Sequence, residues 1–537
     1  MKNKNIFLSA LVLVFALTSC NDWLDVMPDN RAEIDTAEKV QKLLVSAYPE
    51  NSFAYFGELS SDNVDDMGSQ VTYHHRVWEQ MYRWEEVTES DNEDPKRVWE
   101  GSYGAITNAN QALVAIEEMG NAPELLPSKG EALLCRAYNH FILVNLFCKA
   151  YNPATADKDL GIPYMDRPET ELNPKYERGT VAEVYAKIAK DLEEGLPLIN
   201  DANYSIPKYH FNEKAAYTFA SRFYLFYGNW DKVIEYAGKA LGNAPTELLR
   251  DWEALAALPR DEDWTQALAY NSTDVKANFL ISTAYSQMGC YYSGKIYSNT
   301  EVRIASSNML AQTEVMNVAP WGAYAPSVSS YTYARMYKVR PYTYLGTNFD
   351  KTHMPKVPMI FEYSDPVAGI GFFRTNVAVL TAEEALLNRA EAYVMKKEYD
   401  KALADLNLWT ANTLNPSYCS TVTLTLDNVK AWANSLEYYT PEVPTPKKKI
   451  NHLLETIEAG SDQEAMLQCV VYVRRFELMQ TGLRWFDVKR LGIEIYRRTL
   501  KDLSVVSVDD HLTLDDERRA AQLPKDVITS GLTPNPR

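Results

Sequence analysis

The sequence predicts an all-α protein in which helical hairpins form a scaffold and long irregular insertions connect them. Three observations support this fold class. Apolar residues recur at three- and four-residue spacings over much of the chain, as they do on one face of a helix. Two segments, near residues 216–237 and 385–406, each have the pattern of a helix, a short turn and a second helix. Residues 284–345, between these segments, have little helical periodicity and are rich in Tyr, Ser, Gly and Pro.

The chain begins with a predicted lipoprotein signal peptide, residues 1–19. Lys2 and Lys4 precede an apolar run, Ile6 to Leu17, which is shorter than the roughly 20 residues that cross a bilayer. The run ends in Leu17-Thr18-Ser19-Cys20, the pattern of a lipoprotein signal-peptidase site. We expect Cys20 to be the first mature residue and to carry lipid, since each buried methylene adds about 0.8 kcal/mol of membrane affinity. The alternative is an ordinary secreted protein in which Cys20 is incidental.

Two long amphipathic helices are predicted in the N-terminal half. From Ala132 to Phe147, apolar residues alternate between three- and four-residue spacings. From Val181 to Leu198 the same pattern follows Thr180, a favourable N-cap, and Glu183 three residues later completes a capping box. We expect these two helices to pack as a pair.

Two later segments resemble each other and predict helical hairpins. Each has small residues where its two helices would cross and a short turn between them, Gly228-Asn229 in the first and Lys396 to Glu398 in the second. This is the pattern of tetratricopeptide hairpins, in which alanines allow close helix packing. The residues that carry it are Ala216, Ala220, Arg222, Tyr224, Trp230, Val233, Tyr236 and Ala237, then Ala385, Arg389, Ala390, Tyr393, Tyr399, Ala402, Leu403 and Leu406.

Charge and cysteine content exclude several classes of protein. The formal net charge of −18 argues against nucleic acid or an anionic lipid surface as the main partner. The cysteines other than Cys20 are scattered, odd in number and contain no C-x-x-C pair, so they predict neither a disulfide framework nor a zinc site. They are Cys135, Cys148, Cys290, Cys419 and Cys469.

We find no complete catalytic or cofactor-binding motif in the sequence. His74-His75 is the one histidine cluster, and neighbouring residues on a helix point about 100° apart, so they would make a poor metal pair. Gly289 to Lys295 matches the spacing of a phosphate loop, but Ile296 replaces the Ser or Thr that would hold magnesium. We therefore predict no catalytic residue, no metal and no cofactor. Calcium at an acidic loop is the alternative, although neither Asp91 to Asp94 nor the group Asp62, Asp65 and Asp66 matches an EF-hand, and we expect both to be solvated.

The aromatic composition predicts a ligand-binding face. Tyr numbers 35 and Phe 17, and a hydroxylated ring suits a half-wet surface that both stacks and hydrogen-bonds. Two regions offer rings outside a helical core pattern, namely Tyr73 to Trp84 and the tyrosine-rich segment 284–345. Trp321 is the first candidate, because Pro320 and Gly322 beside it favour an exposed indole, and Trp84 is the second. The full set of predicted ligand-binding residues is Trp321, Trp84, Tyr324, Tyr291, Tyr292, Trp78 and Tyr82.

An ordered series of short motifs extends from the mature N-terminus to the C-terminus. These motifs are Cys20-Asn21-Asp22-Trp23-Leu24-Asp25 with Pro28; Glu58-Leu59-Ser60-Ser61-Asp62-Asn63; Trp99, Tyr103, Ile106, Ala109 and Asn110; Glu131-Ala132, Arg136-Ala137, Phe141, Leu146 and Gly161-Ile162-Pro163; Arg389-Ala390-Glu391-Ala392-Tyr393; Arg474-Arg475-Phe476-Glu477-Leu478; Gly482 to Arg490; Leu523-Pro524; and Asn535-Pro536. In this order they resemble the SusD/RagB family of Bacteroidetes surface lipoproteins. Val473 and Thr481 depart from the pattern, because the family often has glutamates there. We interpret the charged string from Arg474 to Arg490 as structural, with Arg484 and Asp487 able to pair within a helix.

The resemblance implies a fold, a location and a partner. It implies about four tetratricopeptide-like units as a scaffold, with long loops that carry the ligand face. It implies a TonB-dependent, SusC-like β-barrel transporter, over which the lipoprotein acts as a lid, and a cell-surface position on the outer membrane held by lipid alone. Asp22, just after the lipidated cysteine, belongs to the surface-export signal in such bacteria. We divide the body, 20–537, into a SusD-like half (20–245), a loop-rich insertion (246–370) and a C-terminal RagB/SusD half (371–537).

The predicted function is capture of a nutrient without chemistry on it. The resemblance implies an oligosaccharide or polysaccharide as the ligand, and a peptide is the first alternative, since the same tyrosines would pack on one. A surface glycoside hydrolase is the second alternative. It needs two carboxylates at a defined separation, one with a raised pKa, and the sequence offers no candidate pair.

Overall fold

A computed structural model describes residues 34–71, 75–169, 174–260, 264–293, 302–322, 332–343, 351–502 and 504–537 of the chain. Cys20 and Tyr324, two of the residues singled out in the sequence, lie outside these ranges. Among the described residues, no helix combines the length and the apolar character needed to cross a membrane.

Helices dominate the described structure, and the predicted all-α class is confirmed. In chain order they are α1 (Ala37–Leu44), α2 (Ala54–Ser60), α3 (Arg76–Tyr82), α4 (Pro95–Glu118), α5 (Leu126–Phe147), α6 (Val181–Gly195), α7 (Glu213–Tyr227), α8 (Trp230–Leu241), α9 (Trp252–Ala256), α10 (Thr265–Tyr270), α11 (Met288–Ser293), α12 (Asn308–Leu310), α13 (Ala382–Met395), α14 (Tyr399–Thr413), α15 (Leu426–Ser435), α16 (Asp462–Glu477), α17 (Leu483–Arg490) and α18 (Lys525–Thr529).

The two predicted hairpins are α7–α8 and α13–α14, and they pack on each other through α8 and α13. Gly228 ends α7 in the left-handed region (φ 82°), and the Asn229 side chain accepts a hydrogen bond from the Lys232 backbone as the N-cap of α8. Lys397 provides the corresponding positive φ, 61°, between α13 and α14. Local turn chemistry therefore sets both hairpins, as the sequence predicts.

The N-terminal helices also follow the prediction. Thr180 and Glu183 form the capping box at the start of α6. Helix α5 packs against α6, the pair expected from the sequence, and against α4 on another side. Because α5 has neighbours on several sides, nearly all of its residues are buried, and it forms the centre of the N-terminal half.

The described residues also form strands that the sequence analysis did not predict. They are β1 (Asp65–Asp66), β2 (Asn278–Tyr285), β3 (Ile304–Ala305), β4 (Tyr342–Thr343), β5 (Thr352–His353), β6 (Ile360–Asp365), β7 (Ile370–Thr381), β8 (Ile495–Lys501) and β9 (Ser504–Leu512). One sheet has the order β2-β7-β6 and another β3-β1-β8-β9. The turn between β6 and β7 exposes Val367, and Tyr363, Ile370 and Phe372 beside it are also exposed. The end of this hairpin therefore adds little to the hydrophobic core.

The C-terminal string from Arg474 to Arg490 is structural, and its charges are buried. Asp487 accepts hydrogen bonds from Arg474 Nε (3.2 Å) and Arg490 Nε (2.8 Å), and Glu391 of α13 pairs with Arg490. The expected Arg484–Asp487 pair is wrong. Arg484 instead donates from Nε (2.7 Å) and Nη2 (2.9 Å) to the two oxygens of Asp62, because Asp487 already faces two other arginines.

The expectation that Asp62, Asp65 and Asp66 form a solvated loop is also wrong. All three side chains are buried. Asp65 pairs with Arg498 of β8 and Asp66 with Arg303, each at 2.7 Å. Two glycines permit this arrangement, since a Cβ on Gly57 would lie 2.4 Å from the Gly482 carbonyl oxygen, so α2 and the start of α17 touch through backbone.

The second acidic run is likewise largely buried rather than solvated. Asp94 is the N-cap of α4, accepting from the Arg97 backbone at 2.6 Å, and Glu93 accepts from the Ser286 hydroxyl at 2.7 Å. Burial raises the pKa of Glu93 well above the usual glutamate range. These carboxylates serve helix capping and loop contacts.

Candidate functional site

The structure brings together two of the predicted aromatic regions. Trp78 of α3 and Tyr291 of α11 lie 4.3 Å apart between ring centroids, and both contact Tyr55 of α2. Tyr292 contacts the other face of this cluster, 5.4 Å from Tyr55. The expectation that these rings are exposed is wrong for Trp78 and Tyr291, which are buried, because each covers the other. A ring whose faces are covered by neighbours has no face left for a ligand.

Trp321, the first candidate, lies in the core, and its predicted exposure is wrong. Its side chain has no accessible surface, and its ring centroid is 5.6–6.2 Å from those of Tyr337, Trp409 and Tyr472. The backbone on either side is held as well, since Thr421 donates to the Trp321 carbonyl and Ser420 to that of Gly322. The flanking small residues therefore allow the indole to enter the gap between α14 and α16.

Trp84 and Tyr82 are also buried, but Trp84 borders a cavity. Its indole donates to the Ser60 carbonyl at 2.8 Å, and the Arg497 guanidinium lies 4.0 Å above its ring. Tyr82 packs under the same guanidinium, at 4.1 Å, and reaches the Arg498 carbonyl. Trp84 thus presents an edge to the cavity, while its faces belong to the protein.

This cavity, which we call the Trp84–Trp485 cleft, has a volume of about 730 Å³. Its floor is apolar and is formed by Phe56, Met81, Trp84 and Trp485. The loop after α3 forms one wall, from Glu85 to Ser90, and the C-terminal segment from Ala521 to Ser530 forms the opposite wall. A volume of several hundred Å³ with an apolar floor and polar walls is typical of small-ligand sites.

An unpartnered donor marks the floor of the cleft. Trp485 is 2% exposed, and its indole Nε1 has no hydrogen-bond acceptor among the described residues. An unsatisfied buried N–H costs free energy, so such groups in native proteins call for an explanation. Because Nε1 itself has almost no accessible surface, a ligand hydroxyl in the cleft would become its acceptor only after a neighbouring side chain moved aside.

The polar walls of the cleft are fixed by ion pairs. Arg518 binds Asp510 at 2.6 Å and Asp516 at 2.8 Å. Lys96 pairs with Asp526 at 2.9 Å across the cleft, and this hydrogen bond raises the pKa of Lys96. The Lys96–Asp526 pair links the start of α4 to the C-terminal wall, and both of its side chains are exposed, so it adds little stability.

The cleft offers hydrogen-bond donors and acceptors, and the carboxyl groups in and near it can be compared with those of a hydrolase. A glycoside hydrolase needs one carboxyl group with a raised pKa beside a second, ionised one. The carboxyl of Asp526 has a lowered pKa, chiefly through its hydrogen bond with Lys96. Burial raises the pKa of Glu58 to about 7, but Glu58 is not among the residues that line the cleft. Within the described ranges, no cluster of His, Cys, Asp or Glu side chains could hold a metal ion.

The sequence identified one residue of the cleft floor as a ligand-binding candidate and none of the other lining residues. Trp84 was a candidate, but Trp485 stood inside a string interpreted only as structural, and the wall from Ala521 to Ser530 carried no aromatic signal. These segments are some 400 residues apart in the chain and come together only in the folded structure.

Comparisons with known proteins agree on one family. Residues 22–225 match a SusD-like family model described as "Starch-binding associating with outer membrane". No curated protein matches the chain.

Several solved structures share the fold over nearly the whole chain. A SusD superfamily protein from Bacteroides thetaiotaomicron VPI-5482 is 18% identical, covers 94% of this chain and 100% of its own, and has a TM-score of 0.62. A SusD superfamily protein from Bacteroides vulgatus ATCC 8482 is 19% identical, with coverage of 94% and 98% and a TM-score of 0.59. A SusD-like carbohydrate binding protein from the same organism is 15% identical, with coverage of 92% and 96% and a TM-score of 0.56. At these identities the likeness establishes the fold.

Proposed function

We propose that this chain, whose residues 22–225 match a SusD-like family model, is a SusD-like surface lipoprotein that binds an oligosaccharide or polysaccharide in the Trp84–Trp485 cleft and delivers it to a TonB-dependent, SusC-like transporter. Binding without chemistry is the whole of its role, and it needs no cofactor. The observation that carries the ligand class is the cleft itself, whose lining combines apolar side chains with hydrogen-bonding groups. Pyranose rings have C–H faces that pack on apolar surface and hydroxyls that accept and donate hydrogen bonds.

The ligand can be found with a panel of defined polysaccharides. Native gels cast with soluble starch, xylan, mannan, levan or pectin retard a protein that binds them. We expect one of these to slow the wild-type protein. Retardation by none of them, together with clear binding of basic peptides from a library, would favour the peptide alternative. Release of reducing sugars from the retarding polysaccharide would favour a hydrolase.

Replacing Trp485 with Phe tests the cleft. Trp485→Phe removes the unpartnered N–H, so it breaks no hydrogen bond within the described protein. We propose that a bound sugar displaces a neighbouring side chain and accepts from this N–H, so the variant removes one donor from the bound state. A net hydrogen bond contributes about 1 kcal/mol, so we expect roughly fivefold weaker binding by isothermal titration with the retarding polysaccharide.

Trp321→Phe is the matched control for this variant. The Trp321 Nε1 also lacks an acceptor among the described residues, but Trp321 lies in the core and does not line the cleft. Both variants lose the same atoms and should lose similar stability, while only Trp485→Phe should lose affinity. Equal affinities in the two variants would remove the cleft from the proposal.

Localisation depends on the lipid that we propose for Cys20. We expect Cys20→Ala to leave the membrane fraction and appear in the soluble fraction, because the variant has no cysteine to carry the lipid. The measurement belongs in a strain that lacks the SusC-like partner, since a bound transporter would retain the variant. Cys20→Ala that still fractionates with the outer membrane in that strain would show that lipid is not the anchor.

A further inference from the structure

A second, open groove lies at the turn of the α7–α8 hairpin, with a volume of about 680 Å³. Helix α6 forms one side of it, and the turn Gly228-Asn229 with the start of α8 forms the other. It shares no lining residue with the Trp84–Trp485 cleft. Its lining residues are Tyr151, Ala186, Ala189, Lys190, Glu193, Tyr224, Tyr227, Gly228, Asn229, Trp230, Asp231, Lys232 and Lys396.

The aromatic rings of this groove are accessible and held in place. Tyr151, Tyr227 and Trp230 are each half-buried, in contrast to the covered rings of the Tyr55 cluster. Tyr151 packs edge-on against Tyr227, with centroids 4.9 Å apart at 75°. Trp230 is the first residue of α8, and its ring lies 6.0 Å from that of His452. The groove therefore presents fixed rings with free surface.

Polar groups beside these rings are equally fixed. The Glu193 carboxylate accepts from the hydroxyls of Tyr224 (2.5 Å) and Tyr236 (3.0 Å) and from Lys232 Nζ (2.7 Å). Lys396 pairs with Asp231 and joins the turn of this hairpin to the turn after α13. Lys190 and Asn229 are exposed at the rim. Lys232 and Lys396 pair with the two carboxylates that line the groove, and Lys190 lies 3.9 Å from Glu194 just outside it. With its charges paired in this way, the groove suits an uncharged ligand with many hydroxyls.

We propose that this groove is a second saccharide-binding site. The rings of Tyr151, Tyr227 and Trp230 pack on the C–H faces of sugar units, while Lys190, Glu193 and Asn229 hydrogen-bond to their hydroxyls. This inference rests on the proposed function, since it takes the same class of ligand. Two separate sites on one rigid scaffold make the binding of a long polysaccharide bivalent, which raises its affinity without any new contact.

The test blocks the groove without removing a native contact. Ala186 is an exposed residue of α6 that lines the groove, and Ala186→Arg places a long side chain there while keeping a good helix former. With a hexasaccharide of the retarding polysaccharide, we expect isothermal titration to count about two ligands per wild-type protein and about one per Ala186→Arg protein. Retardation by the full polysaccharide should fall at least several-fold, because the bivalent contribution is lost.

Two controls separate this inference from the proposed function. Gly104→Arg adds the same side chain on α4 at an exposed position where a Cβ would meet no atom within 4 Å, and it should bind like the wild type. Trp485→Phe should weaken one of the two binding events and leave the other. About one ligand per wild-type protein, unchanged by Ala186→Arg, would overturn the second site and leave the proposed function standing. Failure of every polysaccharide in the panel would overturn both.

Discussion

Replacing Trp321 with Ala is expected to destabilise the protein by about 3–5 kcal/mol, the usual cost of removing a large buried aromatic side chain. Trp321 is fully buried and packs against Tyr337, Trp409 and Tyr472, which belong to three separate segments. The cavity left by Ala would lie between α14 and α16, where residues are held on all sides and cannot close it. Urea unfolding followed by circular dichroism measures the effect as a lower midpoint.

Trp321→Phe provides the graded comparison, since it keeps an aromatic ring and should lose less stability than Trp321→Ala. The opposite outcome is also informative. A Trp321→Ala protein with wild-type stability but weakened polysaccharide binding would show that the indole faces a ligand, as the sequence suggested, and that the core position is incorrect.

The helical scaffold was predictable because its signals are local. A capping box needs only Thr180 and Glu183, three residues apart, and the α7–α8 turn needs only Gly228 and Asn229. The hairpin β8–β9 escaped prediction because Arg497 and Arg498 interrupt the apolar alternation of β8. The structure buries both, and Arg497 donates to the backbone carbonyls of Tyr82, Ser61 and Leu59, a role that no local pattern reveals.

The aromatic site was less predictable because the exposure of a ring depends on distant neighbours. Pro320 and Gly322 beside Trp321 are consistent with a turn, but a turn exposes or buries a side chain according to what lies opposite. The partners of Trp321 lie up to 151 residues further along the chain, at Tyr472. Composition indicated that the protein has many hydroxylated rings, and only the structure separates Tyr227 in an open groove from Tyr291 in a closed cluster.

The burial of the acidic residues could not be predicted from the sequence for the same reason. A run such as Asp62, Asp65 and Asp66 is usually solvated, because burying an unpaired carboxylate is costly. Here the positive charges that compensate the buried carboxylates come from Arg484, Arg498 and Arg303, which are hundreds of residues away in the chain. The motif Glu58 to Asn63 and the string Arg474 to Arg490, recognised separately in the sequence, are thus two halves of one contact.

Breaking the contact between these two segments should lower the stability of the protein about as much as the cavity left by Trp321→Ala. We expect Asp62→Asn to destabilise the protein by about 3–5 kcal/mol, since removal of one partner from a buried ion pair leaves an uncompensated charge. Asn has the same shape as Asp, so the effect reports charge rather than packing. Asp62 faces Arg484 at 2.7 Å and Arg475 at 3.3 Å, and the substitution leaves both guanidinium groups buried. Asp35→Asn is the matched control, because its pair with Lys39 is exposed and should contribute no measurable stability.

The pH dependence identifies the charge as the cause. Desolvation alone would raise the pKa of Asp62, but Arg475 and Arg484 hold it well below its ordinary value of 3.8. A carboxyl group whose pKa is lowered on folding stabilises the protein above its unfolded pKa, and this contribution is lost as the pH falls through the folded value. The stability difference between wild type and Asp62→Asn should therefore be complete above about pH 4 and shrink as the pH falls further. A difference that stays constant down to pH 3 and below, or an Asp62→Asn protein as stable as Asp35→Asn at neutral pH, would mean that packing and not the ion pair holds α2 against α17.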